Sequence, residues 1–380
     1  MNKTHINFLK RKATYKLKKK LKNIANTAST PNKVNTLLVS TKHELSETML
    51  YPFYWFESDL KKQNIRFCEI ITSDLVAEVT QSNLANQTRK TQTQIKRIFF
   101  QAEFEMEAGL LKRTLEYLRN MYPNAKIAFM DWYAPLHIRP SEVVNDYIDI
   151  YIKKQTYRNF SDYAKPTIGD TNLSDYYAKR HDLKLETMQF NPPEGIEDKI
   201  VLWSNFGLSP QMIDLFLGKK PSYAHRPIDL HARLAVNGVP WYQVMRQESK
   251  DALDALALPN LNIASKGRVK RYQFFDEMTQ SKLCFSPFGY GEICWRDYEA
   301  FATGALLLKP NMNHLEVLPD IFVPDETYIS LDWDLSDFEE KVKYYVHNDN
   351  ARKRIADNAF EAMRESIQSN QMIDTICKTF

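Results

Sequence analysis

The 380-residue chain is 43% hydrophobic and 12% aromatic, enough to bury one or two substantial cores and too apolar for a disordered polymer. Its four cysteines (Cys68, Cys284, Cys294, Cys377) are scattered with no C-x-x-C pair, which argues against a disulfide framework or a zinc cluster and suits a reducing cytosol. The net charge of +4 is uneven: residues 1–22 hold nine of the 51 basic residues and no acid, leaving 42 basic against 47 acidic and a body of net −5, not a nucleic-acid-binding surface.

Residues 1–30 read as a basic amphipathic arm. Ile6, Leu9, Ala13, Leu17, Leu21 and Ile24 recur every three or four residues and form one helical stripe. Lys10, Arg11, Lys12, Lys16, Lys18, Lys19, Lys20 and Lys22 cover the rest. Residues 1–24 would suit an anionic membrane surface, or the helix packs on the body with its lysines solvated. No apolar run nears the ~18–20 residues that span a bilayer, and no signal-peptide h-region follows the basic stretch. A polar linker, Thr27–Asn32, comes next.

Strands and helices then alternate. Val34–Ser40 reads as a strand, Leu45–Lys62 as a helix, Ile65–Thr72 and Ile95–Gln101 as strands, Glu103–Met121 as a helix, and Lys126–Met130 and Tyr147–Lys153 as strands. Residues 158–198 are polar, with a helix expected at Leu173–Arg180; Lys199–Asn205 resumes a strand. Leu217–Pro227 is rich in turn formers and predicts the crossing between two domains, 31–217 and 218–380. In the second half, strands are expected at Ile228–Leu234, Leu261–Ala264, Leu283–Ser286, Ala305–Leu308 and Tyr328–Leu331. Helices are expected at Tyr242–Leu256, Arg271–Thr279, Glu292–Thr303, Asp337–Val346 and Asn350–Ser366. The alternation implies crossover connections and parallel sheets, hence two doubly wound α/β halves.

The densest signal is Ser286–Lys309. The chain has ten glycines, and Gly289, Gly291 and Gly304 fall in this stretch. It reads as a strand, a glycine turn, a helix bearing Glu292, Arg296 and Glu299 on one stripe, a small-residue turn and a closing strand. A glycine turn that opens a helix suits a phosphate. Arg296 would offer a bidentate fork, and a carboxylate one turn on, Glu299, can accept both hydroxyls of a ribose. Lys266 and Arg268 flank Gly267 after another strand and would add phosphate contacts. The same spacing also fits an ion-pair ladder on a solvated helix.

Arg296-Asp-Tyr-Glu299-Ala-Phe-Ala-Thr-Gly304 resembles the R-x-x-E-A-x-A-x-G pattern of GT-B glycosyltransferases with a "glycosyl transferases group 1" C-terminal domain. The resemblance covers roughly 228–365 and implies two Rossmann-like domains facing a cleft. It implies that Glu299 binds the donor ribose, and that Ser286, Gly289, Tyr290, Gly291, Arg296, Lys266 and Arg268 surround the nucleotide sugar. The N-terminal half would bind a glycan or lipid-linked acceptor, as in bacterial cell-surface glycan synthesis, in a cytoplasmic protein peripheral to the inner membrane face. No cofactor, metal or nucleic acid is implied, the nucleotide sugar being a substrate. Retaining members carry two glutamates with seven residues between them; that spacing lands here on Gly291, with Glu292 displaced by one, so the stereochemical outcome stays open.

For a base on the acceptor side, Asp131 is the first candidate and His43 the second, both at strand ends, with Trp132 and Tyr133 suited to sugar stacking. His225 and His231 are weaker candidates near the crossing. Asp332-Trp-Asp334 is a D-x-D pair, better explained by capping than by metal. The other readings are a nucleotide-sugar epimerase of the same fold, which needs no acceptor, and a non-catalytic nucleotide-sugar or membrane-docking protein.

Overall fold

In the computed structural model, residues 13, 15–17, 19, 34–41, 43–71 and 95–379 are described. The linker Thr27–Asn32 lies outside them. Short runs of Ile, Leu, Val and Phe form parallel strands, covered on both faces as all-parallel sheets require. The first half supplies β1 (Thr36–Ser40), α1 (Glu44–Trp55), α2 (Glu57–Lys62), β2 (Phe67–Ile71), β3 (Arg97–Phe100), α3 (Ala108–Met121), β4 (Lys126–Asp131) and β5 (Ile150–Lys153). Short strands β6 (Gln155–Tyr157), β7 (Thr167–Ile168) and β8 (Thr187–Met188) and helix α4 (Asn172–Arg180) precede β9 (Ile200–Leu202). The first sheet runs β2-β1-β3-β4-β5-β9, parallel throughout.

The second half supplies β10 (Ile228–His231), α5 (Pro240–Asp254), β11 (Ile263–Ala264), α6 (Arg271–Thr279), β12 (Ser281–Phe285), α7 (Trp295–Thr303), β13 (Leu306–Pro310), β14 (Leu315–Val317) and β15 (Ile329–Leu331). Helices α8 (Phe338–His347), α9 (Asp349–Gln368) and α10 (Gln371–Lys378) complete it. This sheet runs β11-β10-β12-β13-β15, again parallel. The expected α/β class with two doubly wound sheets is therefore present. In both sheets the second strand lies on one side of the first and the third on the other. The crevices at this reversal open between β1 and β3 and between β10 and β12, where ligands of such sheets bind.

Five details depart from the sequence reading. The helix expected at Leu45–Lys62 divides at Phe56, which closes α1 and opens α2. The helix expected from Glu103 starts at Ala108, because Glu105 adopts a left-handed φ of 57° inside a turn. The helix expected from Glu292 starts at Trp295, so Glu292 is not on the stripe with Arg296 and Glu299. Helix α10 and the antiparallel β6–β14 pair, which joins the two halves, were not expected.

The halves share a core. Phe206 stacks on Trp295 at 4.4 Å and 17°, Phe216 meets Phe360, and Arg364 donates to the carbonyls of Phe216 (2.9 Å) and Gly218 (2.7 Å). Phe53 of α1 fills the first half against Phe67, Phe99 and Trp203.

The arm's described residues are helical, but a different face of it packs on the body from the one the apolar stripe implies. Tyr15 is buried edge-on against Tyr51 (4.9 Å) and Tyr54 (5.5 Å). The Lys19 ammonium lies 2.8 Å from buried Glu69 on β2. Ala13 is exposed and Leu17 is 57% exposed, so that part of the stripe faces away from the body.

Lys154 follows β5, fully buried, with its ammonium 5.0 Å from the Phe206 ring centre and no carboxylate in an ion pair with it among the described residues. Burial, with help from neighbouring Lys153, pulls its pKa down to about 7. Between that value and the ordinary one near 10.5 the unfolded chain holds a proton that the folded chain lacks, so stability rises with pH across this window. Below pH 7 the full cost of burying the charge is present. Lys154→Met should therefore raise the thermal midpoint most at pH 6–7, with the gain shrinking toward pH 10. A gain independent of pH in thermal unfolding would contradict this.

Candidate functional site

The β10–β12 crevice is crossed by Arg296. This residue lies in the first turn of α7 and donates to the carbonyls of Arg233 (2.6 Å), beyond β10, and Phe285 (3.4 Å), at the end of β12. It holds the two strand ends at a fixed separation. One turn on, the Glu299 carboxylate is buried and ion-paired with Arg271 at the start of α6. Burial raises its pKa, against the opposing pull of Arg271 and Arg296. A buried carboxylate at a strand-end crevice, held by one partly exposed guanidinium, can exchange that partner for ribose hydroxyls.

The floor is built by Arg233. Its guanidinium pairs with Glu277 (2.6 Å) and donates to the carbonyl of Gly267 (2.9 Å) and to that of Lys266. This fixes the loop after β11, on which Lys266 and Arg268 are exposed and Gly267 has a φ of 70°. Beside them, His231 is fully enclosed, and neither ring nitrogen has a hydrogen-bond partner among the described residues. Burial, reinforced by Arg296, holds its pKa down to about 3, so it is neutral. His225 is exposed in the crossing.

The glycine loop is tight: the Gly289 N–H donates to the Gly291 carbonyl at 2.9 Å. Tyr290 is 46% exposed and stacks on Tyr242 at 4.5 Å and 10°. Gly291 is pressed against the Ala134 backbone of the first half, where any Cβ would collide with the Ala134 carbonyl.

Two of the expected roles need correction. Ser286 is enclosed, and its hydroxyl donates to Asp297 (2.6 Å), so its side chain does not face the crevice. Asp297 also pairs with buried Lys309 (3.1 Å) and accepts the Cys294 N–H (2.8 Å) in a capping box. The N-terminus of α7 thus already has its own anion, while Lys266, Arg268 and Arg271 are exposed cations at this edge. The sequence reading passed over Asp297 and Lys309, the latter because the expected strand stopped at Leu308 while β13 continues through Lys309 to Pro310.

Glu292 sits where the halves meet. Its carboxylate is enclosed and accepts from Asn172 (2.8 Å) and Gln155 (3.2 Å), with the His314 Nε2 at 3.4 Å. Burial pushes its pKa up, but the hydrogen bonds from His314 and Asn172 outweigh it and the net shift is down. Asn172 is placed by the Thr171 cap of α4. Gln155 also donates to the Ala134 carbonyl at 3.1 Å, joining Glu292 to the loop that meets Gly291.

On the first half, Asp131 is at the end of β4, but it is enclosed. It accepts from Lys153 (2.7 Å), Tyr151 (2.7 Å) and the Tyr133 N–H (3.0 Å). Its carboxylate anchors the loop and is not presented to a substrate, which corrects its assignment as first-choice base. His43 is exposed and stacks on Trp132 at 4.6 Å. Its Nδ1 accepts the Leu45 N–H and caps α1 (3.2 Å), which leaves the Nε2 edge as the other polar face of the ring. His137, missed in the sequence, lies on the loop after β4 within electrostatic range of Asp131, Lys153 and Glu292. Burial lowers its pKa to about 4, so it too is neutral. Asp332 and Asp334 each bond Ser336 in a turn. Among the described residues no group of three or more His, Cys, Asp or Glu is placed to hold a metal, and no helix is long and apolar enough to cross a membrane.

Two parallel doubly wound sheets with strand-end crevices, the second carrying a glycine loop ahead of Arg296 and Glu299, make up a GT-B-like α/β fold of two Rossmann-like halves. Residues 222–378 match the family model described as "Glycosyl transferase-like", so this part of the chain is similar to that family. No curated protein matches the chain. Among solved structures, a glycosyltransferase from Rickettsia africae is similar at 12% identity over 91% of this chain and 96% of its own, with a TM-score of 0.46. A UDP-forming alpha,alpha-trehalose-phosphate synthase from Burkholderia xenovorans is similar at 11% identity over 91% and 98%, with a TM-score of 0.46. A UDP-GlcNAc 2-epimerase from Neisseria meningitidis bound to UDP-GlcNAc is similar at 8% identity over 91% and 100%, with a TM-score of 0.39.

Because the Gly291–Ala134 contact leaves no room for a methyl group, Gly291→Ala should push the two loops apart. The expected cost is about 1–3 kcal/mol of stability, as for other overpacked sites. A thermal midpoint equal to that of the parent would show that the contact is not tight.

Proposed function

We propose that the protein moves a sugar from a nucleotide-sugar donor to a hydroxyl of a glycan or lipid-linked acceptor. The observation that carries this reading is buried Glu299 at the β10–β12 crevice, one turn from Arg296 and paired with a partly exposed arginine. In this reading the donor ribose takes Glu299 from Arg271. The released guanidinium, with Lys266 and Arg268, then faces the diphosphate and stabilises it as it leaves. Gly289, Tyr290 and Gly291 bound the sugar. The acceptor enters from the β1–β3 crevice, so that its hydroxyl meets the anomeric carbon beside the Gly291–Ala134 contact. His43, exposed at that crevice, remains the candidate to handle the acceptor proton. These fixed cations let the reaction run without a metal, and no cofactor is required.

Thermal shift with UDP-, GDP-, CMP-, ADP- and dTDP-sugars tests the donor site. One of them at about 100 times its Kd should stabilise the parent by about 2.7 kcal/mol, and Glu299→Ala should remove that gain. Equal stabilisation of parent and variant would overturn the assignment. Release of the free nucleotide diphosphate only with an acceptor present would separate transfer from epimerisation or mere binding.

The arm supports a second proposal, docking on an anionic membrane at the cytoplasmic face. Leu17 and Ala13 face outward while Tyr15 and Lys19 pin the helix to the body, so part of the apolar stripe is free to meet lipid. Leu17→Glu and deletion of residues 1–26 should each reduce co-sedimentation with phosphatidylserine vesicles. Undiminished binding by both variants would refute it.

A further inference from the structure

The first half carries an aromatic surface that the donor site does not use. It lies at the β1–β3 crevice, where three loops meet. His43, after β1, stacks on Trp132, after β4, at 4.6 Å and 29°. Phe104, after β3, lies 6.1 Å from Trp132 and 5.4 Å from Tyr133, and those two rings are 5.0 Å apart. The polar ends of the two fixed rings are taken up by backbone: Trp132 Nε1 donates to the Ala102 carbonyl and Tyr133 to the Glu103 carbonyl, each at 2.8 Å. Trp132 is buried beneath the His43 ring and backs it, while Tyr133 is half-buried. Phe104 is 58% exposed, and His43 is exposed beside it.

The segment that carries Phe104 has one sign of charge. Residues 101–107 contain Glu103, Glu105 and Glu107 and no basic residue, and Glu105 and Glu107 are exposed. Glu105 is held at a φ of 57°, a conformation that a side-chain-bearing residue adopts only when its surroundings enforce it. Two residues beyond Trp132, on the same loop, the Ala134 backbone meets Gly291 of the donor loop. The aromatic surface therefore adjoins the place where a donor sugar would lie.

We infer that His43, Tyr133 and Phe104, backed by buried Trp132, form the acceptor platform, and that its occupant is an uncharged pyranose. The apolar C–H face of such a ring stacks on the aromatic rings. Its outward hydroxyls donate to the Glu105 and Glu107 carboxylates. A phosphate, uronate or sialate in the same place would face like charge, so anionic terminal sugars are excluded. The inference rests on the transferase reading and specifies the acceptor class for it.

Saturation-transfer NMR tests it, with chitobiose, maltotriose and N-acetyllactosamine as neutral probes and digalacturonate and sialyllactose as anionic ones. The parent should bind at least one neutral saccharide and neither anionic one. Phe104→Ala should weaken neutral binding roughly tenfold, while the nucleotide-sugar thermal shift of the same variant stays at the parental value. Glu105→Gln with Glu107→Gln should admit the anionic probes. Unchanged saccharide binding in Phe104→Ala, preference of the parent for anionic probes, or no saccharide binding by the parent would overturn the platform. Loss of nucleotide-sugar binding in the parent would instead defeat the donor reading, whatever the saccharides do.

Discussion

Glu292 is a carboxylate with no access to water at the junction of two sheets. A charge in that position is tolerated only when its lone pairs are satisfied, and here the partners come from both halves. Gln155 and Asn172 reach it from the first half and His314 from the second. Gln155 also holds the Ala134 carbonyl, which packs on Gly291. The facing of the two crevices follows from this cluster, because it fixes the loop after β4 against the loop after β12. The β6–β14 pair and the Phe206–Trp295 stack reinforce the same seam.

Within the second half, charge is arranged in nested pairs. Asp297 with Lys309 closes the base of the glycine loop, and Arg233 with Glu277 closes the base of the β11 loop. Arg296 serves backbone carbonyls rather than a carboxylate. Of the buried carboxylates at this edge, Glu299 has the partner that is itself 39% exposed in its side chain. It is thus the anion whose partner a ligand can replace without opening the core. In the proposed donor site the other pairs would be the scaffolding for that exchange.

Much of the architecture was legible because parallel strands buried on both faces are continuous apolar runs, and the helices between them carry a 3.6-residue period. The runs at 36–40, 126–131 and 306–310 and the helix at 338–347 are of this kind. Legibility failed where local geometry has no period. The Glu105 turn delayed α3, and the Cys294–Asp297 capping box delayed α7 and moved Glu292 off its helix. Strand β14 is short and owes its form to a partner distant in sequence, whereas helix α10 carries a helical apolar stripe of Met372, Ile373 and Ile376 that the sequence reading passed over.

For the site, the sequence by itself determined which residue types are brought to the crevice. The spacing of Arg296 and Glu299 on one helix, and two glycines before it, follow from neighbours along the chain. Tertiary structure decided what each of them does. Ser286 and Asp131 stand at strand ends as expected, yet both are enclosed and bound to buried partners. His137 and Lys309 matter only because other segments fold over them, and Gly291 is required by a carbonyl 157 residues earlier in the chain. Spacing along a helix is a local property and can be read in order, whereas solvent access and charge pairing depend on what packs above a residue, which one chain segment does not record.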